Sequence, residues 1–138
     1  MKKQLGIAIV ILAALLVGTW PCGASTGQTD LRGISAGQFK RILDQHREDP
    51  DVVLLDIRTP AEYKSGHISG AILLDYYASD FVDRLKGLDR DKTYLIYCRS
   101  GNRSGKSLAI FEKLGFRHAY HLETGIRGWM QERFPLVQ

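Results

Sequence analysis

The chain has 138 residues, of which 44% are hydrophobic and 25% are charged, and it carries no low-complexity tract. This length and composition predict one globular domain with a sizeable core and exclude a disordered or fibrous protein. The formal net charge is +4, of which Lys2 and Lys3 supply two charges, and the basic residues are spread along the chain. A nucleic-acid partner is therefore excluded, because such a surface needs clustered positive charge.

The first segment has the pattern of a targeting signal. A short basic start precedes an almost wholly apolar run over residues 5–17, and small residues at Cys22 and Ala24 suit cleavage after Ala24. The apolar run is shorter than the roughly 20 residues that span a bilayer. We predict a secretory signal over residues 1–24 that exports the chain to a bacterial periplasm. An uncleaved membrane anchor and a lipid on Cys22 are the alternatives.

The amino-terminal half of the remaining chain alternates short apolar runs with helical patterns. Residues 25–30 are predicted to be a flexible lead-in, and residues 31–138 to form the domain. The predicted elements, in chain order, are a strand at 31–34, a helix at 36–46 after the N-cap Ser35, a strand at 52–55, a short helix from Pro60 after the cap Thr59, and a strand at 71–74.

The carboxyl-terminal half continues the alternation. The predicted elements are a helix at 81–85 closed by Gly87, a buried strand at 93–97, a helix at 104–114 with Gly115 as its left-handed C-cap, a strand at 118–122 and a last helix at 125–130. Strands that alternate with helices predict an α/β domain with a mostly parallel sheet and helices on both faces. Ligands of such sheets bind beyond the carboxyl ends of the strands, where Asp56 and Cys98 lie.

Cys98 follows the predicted strand at 93–97 and begins a short polar loop before a helix. Backbone N–H groups in such a loop have no carbonyl partners and can point inward at an anion, and Arg99 and Arg103 add positive charge. This environment favours a thiolate over a thiol. After cleavage at Ala24, Cys98 is the one cysteine left, so it can form no internal disulfide. A lone thiol in an oxidising compartment indicates a chemical role rather than a core position.

The segment from Cys98 to Ser104, Cys-Arg-Ser-Gly-Asn-Arg-Ser, resembles the active-site loop of rhodanese-type sulfurtransferases. Two further segments resemble signatures of that family in the expected order, namely residues 56–71 with Asp-Ile-Arg-Thr-Pro, and residues 125–129. The likeness covers residues 31–135 and implies a rhodanese-like three-layer domain. One departure is visible, because the family often has two adjacent glycines where this chain has Thr124-Gly125.

The resemblance implies transfer of a sulfane sulfur. Cys98 would attack the outer sulfur of a donor such as thiosulfate, sulfite would leave, and the resulting persulfide would pass its sulfur to cyanide or a thiol. The loop residues implied to bind the persulfide and donor are Arg99, Ser100, Gly101, Asn102, Arg103 and Ser104. Gly101 suits a tight turn at positive φ, and Arg99 and Arg103 would attract an anionic donor. No metal or organic cofactor is implied.

The implied partners are a small anionic sulfur donor and a thiol or cyanide acceptor, with a redox protein as a further candidate. Membrane contact is expected only if the leader is retained or Cys22 carries a lipid. Two other functions stay open. One is a sulfur carrier that docks to a partner and turns over little. The other is a phosphatase or arsenate reductase, which the spacing from Cys98 to Arg103 disfavours, because related phosphatases have a loop one residue longer.

Several other polar residues have structural explanations. Asp56 and Arg58 are predicted to form a supporting ion pair that holds loops together, with direct substrate contact as the alternative. His118 and His121 are three residues apart but lack a further ligand set at suitable spacing, so they are interpreted as strand-surface residues rather than metal ligands.

Overall fold

The computed structural model describes residues 28–138, so the predicted signal and residues 25–27, half of the predicted lead-in, lie outside the described residues. Five strands and five helices alternate in the described part. The strands are β1 (Asp30–Ile34), β2 (Val52–Asp56), β3 (Ile72–Leu73), β4 (Thr93–Tyr97) and β5 (His118–Leu122). The helices are α1 (Ala36–Gln45), α2 (Pro60–Lys64), α3 (Phe81–Lys86), α4 (Asn102–Lys113) and α5 (Gly125–Gln131). Within residues 28–138, none of these helices has the length and apolar character to cross a bilayer.

The strands form one sheet in the order β1-β5-β4-β2-β3, and every pairing is parallel. Successive side chains of β4 point to opposite faces. Leu95 and Tyr97 join a core cluster that includes residues of α1 and α5. Tyr94 and Ile96 join a second cluster that includes residues of α3 and α4. The predicted α/β class, with a parallel sheet flanked by helices on both faces, is therefore confirmed.

The hydrophobic clusters on the two faces stabilise the sheet, although no strand has more than five residues. Each side of the sheet is covered by fully buried aromatic rings, such as Phe39 from α1 on one side and Phe111 from α4 on the other. Burying a side chain of this size contributes about 1.5–3 kcal/mol. The strongest apolar runs of the sequence, at β2 and β4, accordingly occupy neighbouring central positions.

Two predicted caps begin helices as the sequence indicates. The Ser35 hydroxyl accepts from Gln38 N, and the Gln38 side chain accepts from Ser35 N, which completes a capping box before α1. Thr59 and Glu62 make the same reciprocal pair before α2, where Pro60 is the first helical residue. Local side-chain hydrogen bonds therefore fix where both helices start.

The predicted start of the helix after Cys98 is wrong by two residues. α4 begins at Asn102 rather than Ser104, because Gly105 N already donates to Gly101 O at 2.9 Å. Asn102 and Arg103 have a polar character that suits a loop, but the turn at Gly101 directs the chain straight into the helix. The loop is therefore shorter than predicted, and Arg103 and Ser104 stand in the first turn of α4.

The predicted strand at 71–74 is shorter than expected. β3 contains only Ile72 and Leu73, which pair with Leu55 and Asp56 of β2. Ala71 N donates to Ile68 O in a turn, so it is not available for the ladder. β3 is also an edge strand with a single neighbour, so the apolar run has less backbone to pair with than the central strands have.

Candidate active site

Cys98 lies where β4 ends, at the carboxyl edge of the sheet, beside the end of β2. Its side chain is only 1% exposed and contacts the apolar cluster on the α4 side of the sheet. The prediction from the loop composition that Cys98 lies outside the core is therefore wrong, because its side chain belongs to this cluster. The sulfur therefore contacts apolar side chains of this cluster and also accepts a hydrogen bond from the loop backbone at Gly101.

Hydrogen-bond donors converge on the sulfur. Gly101 N donates to Cys98 Sγ at 3.1 Å, and Ser104 Oγ lies 3.5 Å from the same atom. Burial raises the pKa of the Cys98 thiol, but the Ser104 hydroxyl and the backbone N–H groups of Ser104, Ser100 and Gly101 outweigh it, so the net pKa is lowered. The site therefore favours the thiolate mainly through dipoles, and the charge of Arg103 acts on the sulfur as well.

Gly101 meets two demands of this loop that no other residue satisfies. Its φ is 91°, in the left-handed region. A Cβ atom there would lie 1.8 Å from the carbonyl oxygen of Glu123, in the segment that joins β5 to α5. Gly101 therefore lets its own N–H turn toward the sulfur while the loop packs directly against a neighbouring backbone.

The start of α5 holds the other side of the loop. Ile126 N donates to Cys98 O at 2.8 Å, and Arg127 N donates to Arg99 O at 3.2 Å. Free N–H groups of a helix amino terminus thus hold the loop carbonyls. Gly125, at φ 60°, permits this approach, because a Cβ atom there would lie 2.5 Å from the Arg99 carbonyl. The segment at 125–129 therefore supports the Cys98 loop directly.

Thr124 stands where the resemblance noted in the sequence leads us to expect the first of two glycines. Its φ is −92°, which any residue can adopt, and its side chain occupies the space above Gly128, where a Cβ atom would lie 1.8 Å from Thr124 Oγ1. The departure therefore changes a contact within α5 and leaves the turn at Gly125 intact.

Arg103 is held by a carboxylate that the sequence did not suggest. Its two terminal nitrogens donate to Glu62 of α2 at 2.9 and 2.7 Å, and its guanidinium lies 5.4 Å from the centre of the Tyr77 ring. The hydrogen bonds from Arg103 hold the pKa of Glu62 at about 2 against the opposing effect of burial. The ion pair joins α2 to the first turn of α4. Because both terminal nitrogens of Arg103 already bind Glu62, the predicted role of Arg103 in binding the donor stays a prediction.

Asp56 and Arg58 come together at the end of β2. Arg58 Nη2 donates to Asp56 Oδ2 at 2.6 Å and to Gly66 O at 2.8 Å, and the Asp56 side chain is fully buried. The pair links the end of β2 to the end of α2. This geometry fits the supporting role that the sequence indicates. Arg58 also lines the open cavity beside the Cys98 loop, so direct substrate contact stays the alternative prediction.

An open cavity of about 470 Å³ lies beside the loop. Its walls include Arg99 and Arg127, both exposed, together with Glu62, Ser65 and Met130. Arg127 was not among the predicted site residues, although it lies within the segment 125–129 that resembles a signature of the family. Ser100 and Asn102 are exposed on the outer side of the loop. A second cavity, of about 380 Å³ near α1 and Trp129, contains none of the loop residues.

The two histidines of β5 separate. His118 and His121 are three residues apart on one strand, so they point to opposite faces of the sheet. The part of the chain that the structure describes contains no group of three or more His, Cys, Asp or Glu side chains that could hold a metal ion. His121 Nδ1 lies 3.2 Å from Ser104 Oγ, a contact that bridges 17 positions and that the sequence did not suggest.

Comparisons with known proteins find relatives that include named sulfurtransferases. The sequence is 37% identical over 87 residues to a protein named sulfurtransferase from Allochromatium vinosum, a match that covers 63% of this chain and 79% of that protein. It is 34% identical over 102 residues to the probable adenylyltransferase/sulfurtransferase MoeZ of Mycobacterium tuberculosis, a match that covers 74% of this chain. The chain spans only about a quarter of the length of MoeZ. Its relatives also include a tRNA uridine(34) hydroxylase of Legionella pneumophila, 32% identical over 70% of this chain and 41% of that protein.

The structure gives a matching result. A crystal structure of a rhodanese-related protein from Thermoplasma volcanium superposes with a TM-score of 0.64 at 31% identity, covering 77% of this chain and 97% of that one. The sequence model of the family described as the rhodanese-like domain matches residues 39–132, which include the Cys98 loop and both supporting segments. The chain therefore belongs to the rhodanese-like family.

Proposed function

We propose that this protein is a sulfurtransferase that carries a sulfane sulfur as a persulfide on Cys98. The observation that carries the proposal is the sulfur environment, in which amide and hydroxyl donors lower the pKa of a buried thiol. A thiolate is the form that attacks sulfur, and the same donors stabilise it when it leaves again. Similarity to a sulfurtransferase over most of that protein's length supports the same reaction.

The proposed reaction has two displacements. The Cys98 thiolate attacks the outer sulfur of thiosulfate, the sulfur–sulfur bond of the donor breaks, and its electron pair leaves with sulfite. A nucleophilic acceptor, cyanide or a thiolate, then attacks the outer sulfur of the persulfide. The Cys98 thiolate departs with the bonding pair, so no oxidant or reductant is consumed. Neither step needs a proton donor, because sulfite and the thiolate are both stable anions at neutral pH.

The positive rim of the cavity supports an anionic donor. Arg99 and Arg127 stand on adjacent backbone segments, joined by the hydrogen bond from Arg127 N to Arg99 O. Two exposed guanidinium groups beside the loop would attract a dianion such as thiosulfate and release sulfite at a modest cost. We therefore include Arg127 with Arg99 among the donor-binding residues.

The proposed place of action is outside the cytoplasm, in a bacterial periplasm. The support is the leader pattern of residues 1–24, which lies outside the described residues. A membrane-anchored form that faces the same compartment is the alternative. The natural acceptor there would be a small thiol or a redox protein, with cyanide serving as a laboratory substitute.

The test is the intact mass of the full-length gene product, expressed with its leader, before and after thiosulfate. We expect a gain of one sulfur atom that cyanide or a reductant removes, and steady thiosulfate:cyanide turnover. Cys98→Ser should lose both the added sulfur and the turnover, and Cys22→Ser, the matched control, should keep both. The base mass reports whether residues 1–24 are removed, and fractionation reports the compartment.

Three results would contradict the proposal. Persistence of turnover in Cys98→Ser would remove Cys98 as the nucleophile. Loading without discharge to small acceptors would identify a carrier that needs a partner. Hydrolysis of a phosphoryl ester or reduction of arsenate in the absence of sulfur loading would assign the thiolate to a different reaction.

A further inference from the structure

Ser104 is the hydroxyl closest to the reactive sulfur, and its single proton has three neighbours. Ser104 Oγ is fully buried and lies 3.5 Å from Cys98 Sγ, 3.3 Å from Gly101 O and 3.2 Å from His121 Nδ1. A serine hydroxyl donates one hydrogen bond and accepts others. The thiolate gains from the Ser104 hydroxyl only when that proton points to the sulfur, so an imidazole nitrogen that accepts the proton reduces the contribution of this hydroxyl.

The imidazole of His121 occupies a slot that two glycines leave open. A Cβ atom on Gly105 of α4 would lie 3.3 Å from His121 Cε1, and one on Gly33 of β1 would lie 2.9 Å from His121 Nε2. Any larger residue at Gly33 would displace the ring or Glu123 beside it. The ring is therefore held in contact with Ser104 by the packing of β1, β5 and α4.

We propose that His121 is a positioning residue that sets the direction of the Ser104 proton and thereby tunes the ionisation of Cys98. When Nδ1 carries a proton, the ring donates to Ser104 Oγ, and the Ser104 proton is left to the sulfur and to Gly101 O as its two acceptors. When Nδ1 is bare, it competes for that proton, and the thiolate loses a donor. The inference rests on the proposed function for its importance to catalysis, but its test does not require turnover.

Few other groups act on the ring. Glu123, at the end of β5, is the charged group that faces it, and Cys98 lies beyond Ser104. The neighbouring strands present Gly33 of β1 and Ile96 of β4, and α4 presents Ser104 and Gly105. Burial lowers the pKa of His121, and Glu123 opposes this with a smaller effect. The ring is therefore neutral at and above neutral pH, and we assign its one proton to Nδ1, which then donates to Ser104 Oγ and leaves the Ser104 proton to the sulfur.

The experiment measures the thiolate by its ultraviolet absorbance across pH in the full chain, with Cys98→Ser as the blank. His121→Leu removes both ring nitrogens and should raise the midpoint, so that the thiolate fraction below the midpoint falls about three- to tenfold. His121→Asn places an amide near the Nδ1 position and should restore most of the thiolate. His118→Leu, on the same strand but the opposite face, should leave the midpoint unchanged.

A double-mutant comparison separates positioning from general packing. In a Ser104→Ala background, His121→Leu should have no further effect on the midpoint, because the connecting hydroxyl is gone. A shift of the same size with and without Ser104 would overturn the inference, as would an unchanged midpoint in His121→Leu. If His121→Leu does not fold, the reciprocal measurement decides, because the titration of the His121 ring must shift between the wild type and Cys98→Ser.

These outcomes are distinct from failure of the proposed function. A thiolate that responds to His121 in a protein with no sulfur transfer would retain the inference and remove the activity. Normal sulfur transfer together with a Cys98 titration midpoint that does not change in His121→Leu would retain the proposed function and overturn the inference.

Discussion

The carboxyl ends of β2 and β4 lie side by side, and a buried anionic group at each end is stabilised in a different way. At the end of β2, the buried Asp56 carboxylate is matched by the Arg58 guanidinium at 2.6 Å. At the end of β4, the buried Cys98 sulfur is surrounded by neutral donors, the nearest 3.1 Å away. A fully matched charge is inert and holds structure, whereas an anion stabilised mainly by dipoles keeps an electron pair available for reaction. The comparison distinguishes a structural anion from a reactive one at the same sheet edge.

The largest expected effect comes from breaking the matched pair. Asp56→Asn leaves the Arg58 charge buried without its partner and should lower the free energy of unfolding by about 3–5 kcal/mol. Urea denaturation measures the change. The double variant Asp56→Asn/Arg58→Met should recover much of the loss, because it removes the unpaired charge. Equal destabilisation by the single and double variants would mean that packing, and not charge pairing, stabilises this end of β2.

The next effect comes from disturbing the dipoles around Cys98. Gly101→Ala places a methyl group 1.8 Å from Glu123 O and disfavours φ 91°. The backbone at position 101 must therefore move, and its N–H should no longer donate a hydrogen bond to the sulfur. We expect thiosulfate:cyanide turnover to fall by about 10²–10³-fold, the range for loss of one fixed donor. Gly37→Ala, at an α1 position where a Cβ meets no atom within 4 Å, is the matched control and should retain activity. Full activity in Gly101→Ala would show that the loop does not need this geometry.

A smaller effect concerns the ion pair that fastens α2 to α4. Because the folded pKa of Glu62 is about 2, below its ordinary value of 4.5, the pair stabilises the fold above pH 4.5 and is lost as the pH falls toward 2. Glu62→Gln should therefore lower the free energy of unfolding at neutral pH by about 1 kcal/mol, since the pair is partly exposed. Denaturation curves of the two proteins should converge between pH 4.5 and 2. A difference that stays constant over this range would mean that the charge of Glu62 is not responsible.

The smallest effect is expected at the cavity rim. Arg127→Ala should raise the KM for thiosulfate a few-fold and leave kcat nearly unchanged, because the lost interaction is a screened attraction to an anion. Arg117→Ala, whose side chain pairs with Asp91 away from the loop, is the matched control. The difference between the two variants should shrink at high salt. An unchanged KM in Arg127→Ala would remove this residue from the donor site.

Sequence patterns predicted the elements that are locally determined. The run Thr93–Tyr97 is a strand with the predicted bounds, and Gly115 adopts the positive φ of a C-cap. The start of α4 and the length of β3 were predicted less well. Polar residues in a first helical turn resemble a loop, and an edge strand pairs only as far as its single neighbour allows. Both errors arise where tertiary contacts, rather than side-chain pattern, set the boundary.

Within the candidate site, too, the features that the sequence predicted are local, and those that it missed depend on tertiary contacts. The Cys98 loop, the positive φ of Gly101 and the pairing of Asp56 with Arg58 involve residues within a few positions of each other, so their spacing could be seen in the chain. The contact from Arg103 to Glu62 joins positions 41 apart, and the contact from Ser104 to His121 joins positions 17 apart.

The sequence by itself determined the alternation of strands and helices, the caps of α1 and α2, and a cysteine at a strand end followed by a glycine turn. These features depend on interactions between near neighbours, which the order of residues specifies directly. The tertiary structure decided that α5 supports the loop backbone, that Glu62 engages Arg103, and that His121 reaches Ser104. Such contacts exist only after the parallel sheet brings distant segments to one edge. Parallel pairing places the carboxyl ends of neighbouring strands together in space, and a crossover connection separates these strands along the chain.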